Sequence, residues 1–472
     1  MKRINLVFIV FILTILSCSR APNIVQWIST TENSPWSEIK YTEPENDPDE
    51  SIDLELLPSQ KQQKIDGFGA CFNELGWDAL NFLQESEREQ ILYNLFHPDS
   101  GLKFNICRMP IGANDYARSW YSLNDSVGDL EMIHFSVDRD ETTLIPYIKS
   151  ALKYRPDLKI WGSPWCPPAW MKHNGHYACR SDVVNDLPPE GQGREGSTQF
   201  IMEPAILKAY ADYFIKYLEA YKKNNIEIYA VHVQNEPNSC QNFPSCIWTS
   251  GDLNIFIGKY LGPGFEEEGL QTEIWYGTIE RPFIENIDTV LQDPVSSKYV
   301  DGVGFQWGGK EAIPLVHKEY PGMPLMQTES ECGDGSNDWT AAEYTFSLMK
   351  HYLNNGANSY LYWNMILDET GKSHWGWKQN SLISVDSETK KITYNPEYYV
   401  MKHLSFFVAT GAHKIKTDGD YKDVLAFQNP DGRIILFIVN NEDLSLQMQL
   451  LIENNRIPVT IPPKSFNTVV VQ

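Results

Sequence analysis

Tyr229-Ala230-Val231-His232-Val233-Gln234-Asn235-Glu236-Pro237 opens as a run of strand-forming, mostly apolar residues and closes on Gln-Asn-Glu-Pro. Val and Tyr suit a pleated, buried surface, whereas two amides, a carboxylate and a proline do not. A strand that stops in this way is aiming polar side chains at something. Glu236 is the candidate for a catalytic acid.

Outward from this stretch, short apolar runs of the same kind recur at 64–72, 104–111, 159–165, 228–234, 273–278, 302–307, 324–328 and 359–364. Amphipathic stretches at 86–96, 142–154, 203–223, 251–261 and 340–354 lie between them. Strands that alternate with helices pair in parallel, because a parallel neighbour is reached through a crossover. Eight such units predict an α/β fold of the closed (β/α)8 TIM-barrel type over 63–407. The competing arrangement is an open doubly wound sheet, but no G-x-G-x-x-G turn follows the first strand.

The character changes after 408. Strand candidates at 414–417, 424–429, 434–440, 446–452, 459–461 and 468–472 are separated by turn signals such as Asn429-Pro430-Asp431-Gly432. These alone are too few for a sandwich, and 24–27 and 52–57 offer more. One appended β-sandwich is therefore expected from both chain ends, with 19–62 as tether and N-terminal strands and 408–472 as the remainder. Residues 1–18 read as an export signal: Lys2 and Arg3, an apolar run from Leu6 to Leu16, then Ser17-Cys18. The run is short for a membrane span. The small residue before Cys18 resembles a bacterial lipobox. It predicts a lipoprotein anchored through Cys18, this anchor being its only membrane contact, at the surface or periplasmic face of the outer membrane.

A formal net charge of −23 argues against nucleic acid as a partner, since phosphate binding needs clustered cations. The chain is rich in aromatics, with 14 Trp and 24 Tyr, which serve either as packing or as platforms for sugar rings. Trp at strand ends favours the second use. Beyond Cys18 lie Cys71, Cys107, Cys166, Cys179, Cys240, Cys246 and Cys332, an odd set in which Cys240 and Cys246 could close a small loop. There is no C-x-x-C and no H-E-x-x-H, so neither a metal nor a cofactor is expected.

In a barrel enzyme the chemistry sits where strands end. Six of the eight expected strands end in unusual residues: Arg108-Met109-Pro110 with Asn114-Asp115 beyond it, Ser163-Pro164-Trp165, Gln234-Asn235-Glu236-Pro237, Gln306-Trp307, Gln327-Thr328-Glu329-Ser330-Glu331 and Tyr362-Trp363-Asn364. Glu236 and Glu329, three strands apart, would face each other across the barrel mouth. Glycoside hydrolysis with retention needs two carboxyls about 5–5.5 Å apart, one to protonate the leaving oxygen and one to attack the anomeric carbon. Arg108 is a suitable cation to keep a nucleophile ionised, and Asn235 could bond the sugar 2-hydroxyl. Spacing leaves the two Glu roles interchangeable, and Glu331, two residues from Glu329, competes with it.

Gly67-Phe68-Gly69-Ala70, Arg108-Met109-Pro110, Ser163-Pro164-Trp165, Asn235-Glu236-Pro237 and Thr328-Glu329 together resemble glycoside hydrolase family 30 over nearly the whole chain. The resemblance implies a retaining (β/α)8 enzyme with a β-sandwich, Glu236 as acid/base and Glu329 as nucleophile. It also implies that Arg108, Asp115, Trp165, Asn235 and Trp363 line the sugar subsite. Gln241-Asn242-Phe243-Pro244-Ser245, Gly304-Phe305-Gln306-Trp307 and Glu331-Cys332-Gly333-Asp334-Gly335 look like the β-1,6-glucanase branch. Glucosylceramidases of the family carry His where this chain has Gln306. Further substrate contacts are expected from Gln306, Trp307, Tyr276 at the end of the fifth strand, and Trp375, which with Trp377 forms either a sugar platform or packing. The implied function is endo-β-1,6-glucanase action on β-glucan. The alternatives are a glucosylceramidase-like or other exo-acting β-glycosidase and, from another class, a non-catalytic glycan-binding surface lipoprotein.

Overall fold

A computed structural model describes residues 22–42 and 51–472. The signal segment and the anchor expected at Cys18 lie outside the described residues. Among those described, no helix is long and apolar enough to cross a membrane.

Eight parallel strands close into a barrel: Gly67–Cys71, Ile106–Pro110, Lys159–Ser163, Ile228–His232, Glu273–Ile279, Gly302–Gln306, Leu325–Glu329 and Ser359–Asn364. Each coincides with one of the eight apolar runs. The two-residue side-chain period of a strand stacks the interior in layers. Ile106, Trp161, Ala230, Trp275, Met326 and Leu361 form one apolar cluster, the lower layer. Two residues further along their strands come Arg108, Ser163, His232, Thr328 and Trp363, so alternation alone delivers a polar layer above an apolar floor. The His232 ring lies between Trp161 and Trp275, with centroids 4.0 and 5.2 Å away. Burial, reinforced by the Arg108 charge, keeps it neutral far below the usual histidine range. Gly69 is required where it stands, because a Cβ there would fall 1.6 Å from the Ile106 carbonyl oxygen of the adjacent strand.

The second unit is one nine-stranded sheet. Its spatial order is Asn455–Ile461, Leu446–Ile452, Leu54–Lys64, His413–Gly419, Val424–Gln428, Ile434–Asn440, Ser465–Val471, Ile24–Thr31 and Ser34–Glu38. Leu450 and Ile457 from one end share an apolar core with Trp27, Leu436 and Val469 from the other, so the sheet folds over on itself as a sandwich. Both chain ends contribute, as expected. Ile24–Thr31 pairs antiparallel with Ser465–Val471, and Asn23 and Gln472 exchange two backbone hydrogen bonds of 3.0 Å. The joint to the barrel runs through helix Pro396–Ser405, where buried His403 meets the hydroxyls of Thr30 and Thr468, each at 2.9 Å.

A three-stranded sheet of Ile366–Asp368, Ile383–Val385 and Ile392–Tyr394 follows the barrel. Its strands, three residues each, are too short to leave a periodic signal. The seven described cysteines are all free, so Cys240 and Cys246 close no loop.

Candidate active site

Arg108 is the hub. It is fully buried at the end of the second strand, and all three guanidinium nitrogens are engaged. Nη1 donates to Glu329 Oε2 at 2.7 Å, Nη2 to Asn235 Oδ1 at 2.7 Å, and Nε to Ser163 Oγ at 3.1 Å. The Trp165 ring lies 4.2 Å from the guanidinium carbon, and those of Trp161 and Trp363 at 5.0 and 5.2 Å. A buried cation needs such a set of acceptors, because desolvation without them costs several kcal/mol (roughly 3–5 when one partner is removed).

Gln306, at the end of the sixth strand, ties the carboxylates together. Its Oε1 accepts from Thr328 Oγ1 at 2.9 Å, which fixes the amide orientation. Its Nε2 then lies 3.2 Å from Glu236 Oε1 and 3.2 Å from Glu329 Oε2. Those two oxygens can therefore be no further apart than twice 3.2 Å. An inverting enzyme separates its carboxyls by about 6.5–9.5 Å to admit a water, and a retaining one by about 5–5.5 Å.

The two carboxyls have different surroundings. Glu329 has Arg108 and the Trp307 indole N–H at 3.4 Å. Glu236 has two amides, Gln306 and Gln241 Nε2 at 3.3 Å. Burial pushes both above the usual carboxylate range. Glu329 is pushed up to about 7, Arg108 opposing and the charge of Glu236 adding. For Glu236 burial is again the main cause, with the Gln306 and Gln241 amides opposing. Asp115, also buried at the mouth, is pushed well up by burial and by the charge of Glu329. One Asp115 oxygen, Oδ1, has no protein partner. Asn235 Oδ1 accepts from Arg108, Thr278 Oγ1 and Gln306, which turns its Nδ2 donors toward a ligand.

Asp115, Asn235, Glu236, Gln241 and Glu329 border a cavity of about 350 Å³ with Trp165, Trp307, Phe243 and Trp377 as its aromatic walls. Glu331 is excluded from it. The seventh strand ends at Glu329, and Glu331 turns away to Lys310 Nζ and the Tyr344 hydroxyl, both at 2.6 Å.

Five expected contacts need correction. Arg108 and Gln306 have no exposed surface and stand behind Asn235, Glu236 and Glu329 without bordering the cavity. Tyr276 does not reach the cavity. Trp275 points into the barrel, so alternation sends Tyr276 outward, and its hydroxyl donates to the Asn286 carbonyl at 3.2 Å. Trp375 is buried behind the wall with its ring 4.7 Å from Trp120, while Trp377, 38% exposed, is the platform. Trp363 has no exposed surface; it backs Trp165 at a ring separation of 5.3 Å and shapes the site from behind.

The residues missed from sequence are mainly Gln241, Phe243, Glu280 and Arg281. For Glu280 and Arg281 a signal exists. The fifth strand runs on to Ile279 past Gly277, whose φ is +114°, and then ends in Glu-Arg-Pro like its neighbours. Ending it at Thr278 hides that.

Lys172 holds the cavity wall. It is 2% exposed, and its ammonium donates to the carbonyls of Ser245 at 2.7 Å, Tyr177 at 3.0 Å and Ala178 at 3.3 Å. It thereby ties the loop after the third strand to the loop that carries Gln241 and Phe243. Lys172→Met removes the charge-assisted bonds, although Tyr177 and Ala178 keep the Ser245 N–H at 3.0 Å and Asn174 Nδ2 at 2.9 Å, and is expected to cost about 1–3 kcal/mol of stability, read from chemical denaturation. An unchanged midpoint would show that the ammonium is dispensable.

A family model for the glycosyl hydrolase family 30 TIM-barrel domain matches residues 65–408, and one for the β-sandwich domain of that family matches residues 411–469. The lysosomal acid glucosylceramidase of Mus musculus is 27% identical over 424 residues, spanning 83% of this chain and 78% of that enzyme. The endo-1,6-beta-D-glucanase of Neurospora crassa is 26% identical over 430 residues, spanning 88% and 84%. A crystal structure of SrfJ from Salmonella typhimurium shares the fold with a TM-score of 0.83 at 25% identity, covering 94% of this chain and 98% of that one. With barrel and sandwich both matched in sequence order, the chain belongs to glycosyl hydrolase family 30 and is a glycoside hydrolase.

Proposed function

We propose that the protein is a retaining β-glucoside hydrolase that cleaves β-1,6-linked glucan internally, with Glu329 as nucleophile and Glu236 as acid/base. The observation that carries retention is the single Gln306 amide 3.2 Å from each carboxylate, a bridge that suits a closely spaced pair. Arg108 assigns the roles. A guanidinium 2.7 Å away favours the anion at Glu329, so the proton the pair shares below neutrality resides on Glu236.

In the first half-reaction the Glu236 proton passes to the glycosidic oxygen as Glu329 bonds the anomeric carbon and the C–O bond breaks. In the second, Glu236 as carboxylate takes a proton from water, whose oxygen displaces Glu329. The Asn235 Nδ2 donors are placed for the sugar 2-hydroxyl, and the unpartnered Asp115 oxygen for another hydroxyl of the same ring.

The β-1,6-glucan assignment is supported by the relative from Neurospora crassa, by Gln306 at the position of the glucosylceramidase His, and by the wall beyond Glu236. Gln241, Arg281, Phe243 and the Trp377 ring all border the cavity there. Glucosylceramide hydrolysis is the second reading, favoured by the Mus musculus relative at 27% identity. Digestion of linear β-1,6-glucan tests the choice. A ladder of oligomers is expected. Glucose alone would mean exo action, and release of glucose only from glucosylceramide would replace the glucan reading. The exported, Cys18-anchored state remains part of this proposal.

A further inference from the structure

Glu236 sits in a backbone conformation that its residue type disfavours. Its φ is +47°, in the left-handed region, where a residue with a Cβ pays about 1–2 kcal/mol. Such a conformation persists only where the surroundings over-determine it. On the strand side, the Glu236 N–H donates to the Thr278 carbonyl at 3.2 Å and Asn235 N–H to the Pro164 carbonyl at 2.8 Å. On the far side the turn closes with Ser239 N–H on the Glu236 carbonyl at 3.0 Å.

One carboxylate pins that closing turn. Glu280 Oε1 accepts from Asn238 N–H at 2.8 Å and from Ser239 Oγ at 3.0 Å, and Oε2 accepts from Asn238 Nδ2 at 3.4 Å. Thr278 and Glu280 belong to the same strand end, so the fifth strand grips the Glu236 turn from both sides. Glu280 is 1% exposed, yet it borders the cavity. A buried carboxylate is costly, and a neutral amide could cap the same turn. The extra charge therefore calls for an account.

We infer that Glu280 is a positioning residue for Glu236: it holds the strained turn that presents the acid, and its carboxylate, bordering the same cavity, favours the protonated form of Glu236. This rests on the reading of Glu236 as proton donor. The other charged groups facing Glu236 are Glu329 and Arg108 at the barrel centre, Asp115 at the mouth, and Arg281, which is held away by Glu195 at 2.9 Å and lies 4.0 Å from Glu280. Burial, and next the charge of Glu236, push Glu280 up to about 7, so the two carboxyls resist ionising together.

The experiment compares Glu280→Gln and Glu280→Ala with the full-length wild type on an activated aryl β-glucoside and on an unactivated alkyl β-glucoside. If the wild type hydrolyses neither, the reading of the site fails, whatever Glu280 does. Given wild-type activity, Glu280→Gln is expected to keep the turn and to move the basic limb of the kcat/KM profile down by about half a pH unit or more, because loss of the neighbouring anion lets Glu236 ionise earlier. Glu280→Ala is expected to lose at least about tenfold more kcat on the unactivated substrate than on the activated one. A Glu280→Gln basic limb that superimposes on the wild type overturns the inference, as does an equal loss on both substrates. Should Glu280→Ala fail to fold, the Glu280→Gln profile decides alone.

Discussion

Glu329→Gln is expected to cut turnover of an activated aryl β-glucoside by roughly four to six orders of magnitude while leaving saccharide binding within a few-fold of the wild type. The amide has nearly the shape of the carboxylate, so the Trp307 wall and the cavity keep their form. What is lost is the nucleophile: an amide oxygen does not form a glycosyl ester that water can then cleave. The second effect is electrostatic. Arg108 Nη1 loses its anion, but Asn235 Oδ1, Ser163 Oγ and Gln306 Oε1 remain as acceptors for the guanidinium. The variant should therefore fold, with a lowered denaturation midpoint from the broken ion pair. Calorimetric titration with a β-glucan oligosaccharide alongside steady-state kinetics makes the check. Near wild-type turnover of the aryl glycoside would remove Glu329 from the nucleophile's place.

Glu236→Ala separates the two half-reactions. A leaving group that departs as a poor base needs no proton, so an activated aryl glycoside should still form the covalent intermediate. An unactivated glycoside should lose a factor of about 10²–10⁴, the usual size of a general-acid contribution. Hydrolysis of the intermediate also slows, because water loses its base, and a small anion such as azide should restore turnover by attacking in its place. The pH profile gives a second readout. In the wild type, kcat/KM should fall as pH rises past the titration of Glu236, which burial raises above the usual carboxylate range, because the proton then leaves and no acid remains. At low pH it should fall because Glu329 becomes protonated. Glu236→Ala should lose the basic limb on the activated substrate and keep the acidic one. Equal loss on both substrates with an unchanged profile would argue against the acid role.

The barrel was legible because its strands are buried on both faces and read as continuous apolar runs, from Gly67–Cys71 round to Ser359–Asn364. The barrel-mouth polar residues were legible for the same reason: Arg108, Gln306 and Glu329 interrupt runs that burial alone would have kept apolar. Orientation was harder. Tyr276 and Trp375 are aromatic residues of the expected kind near the expected place, yet one residue of phase or one turn of loop sends each away from the cavity. Glu280 was hidden by a strand end misjudged by one residue, which is within the usual uncertainty of element boundaries. The wall from Gln241 to Phe243 depends on Lys172, and a lysine in a polar stretch carries no mark of burial in the sequence.

The pairing of Ile24–Thr31 with Ser465–Val471 has a consequence for the order in which the protein can be made. The first sandwich strand to leave the ribosome has no partner on that side until the last one emerges. The barrel between them, built from neighbours in sequence, can close while synthesis continues. The sandwich can be completed only once Ser465–Val471 is available, with its opening strands held in reserve while the whole barrel is made. Its edge stays unpaired for that interval, and a chain cut short before Ser465 would leave Ile24–Thr31 with Ser34–Glu38 as its only neighbour.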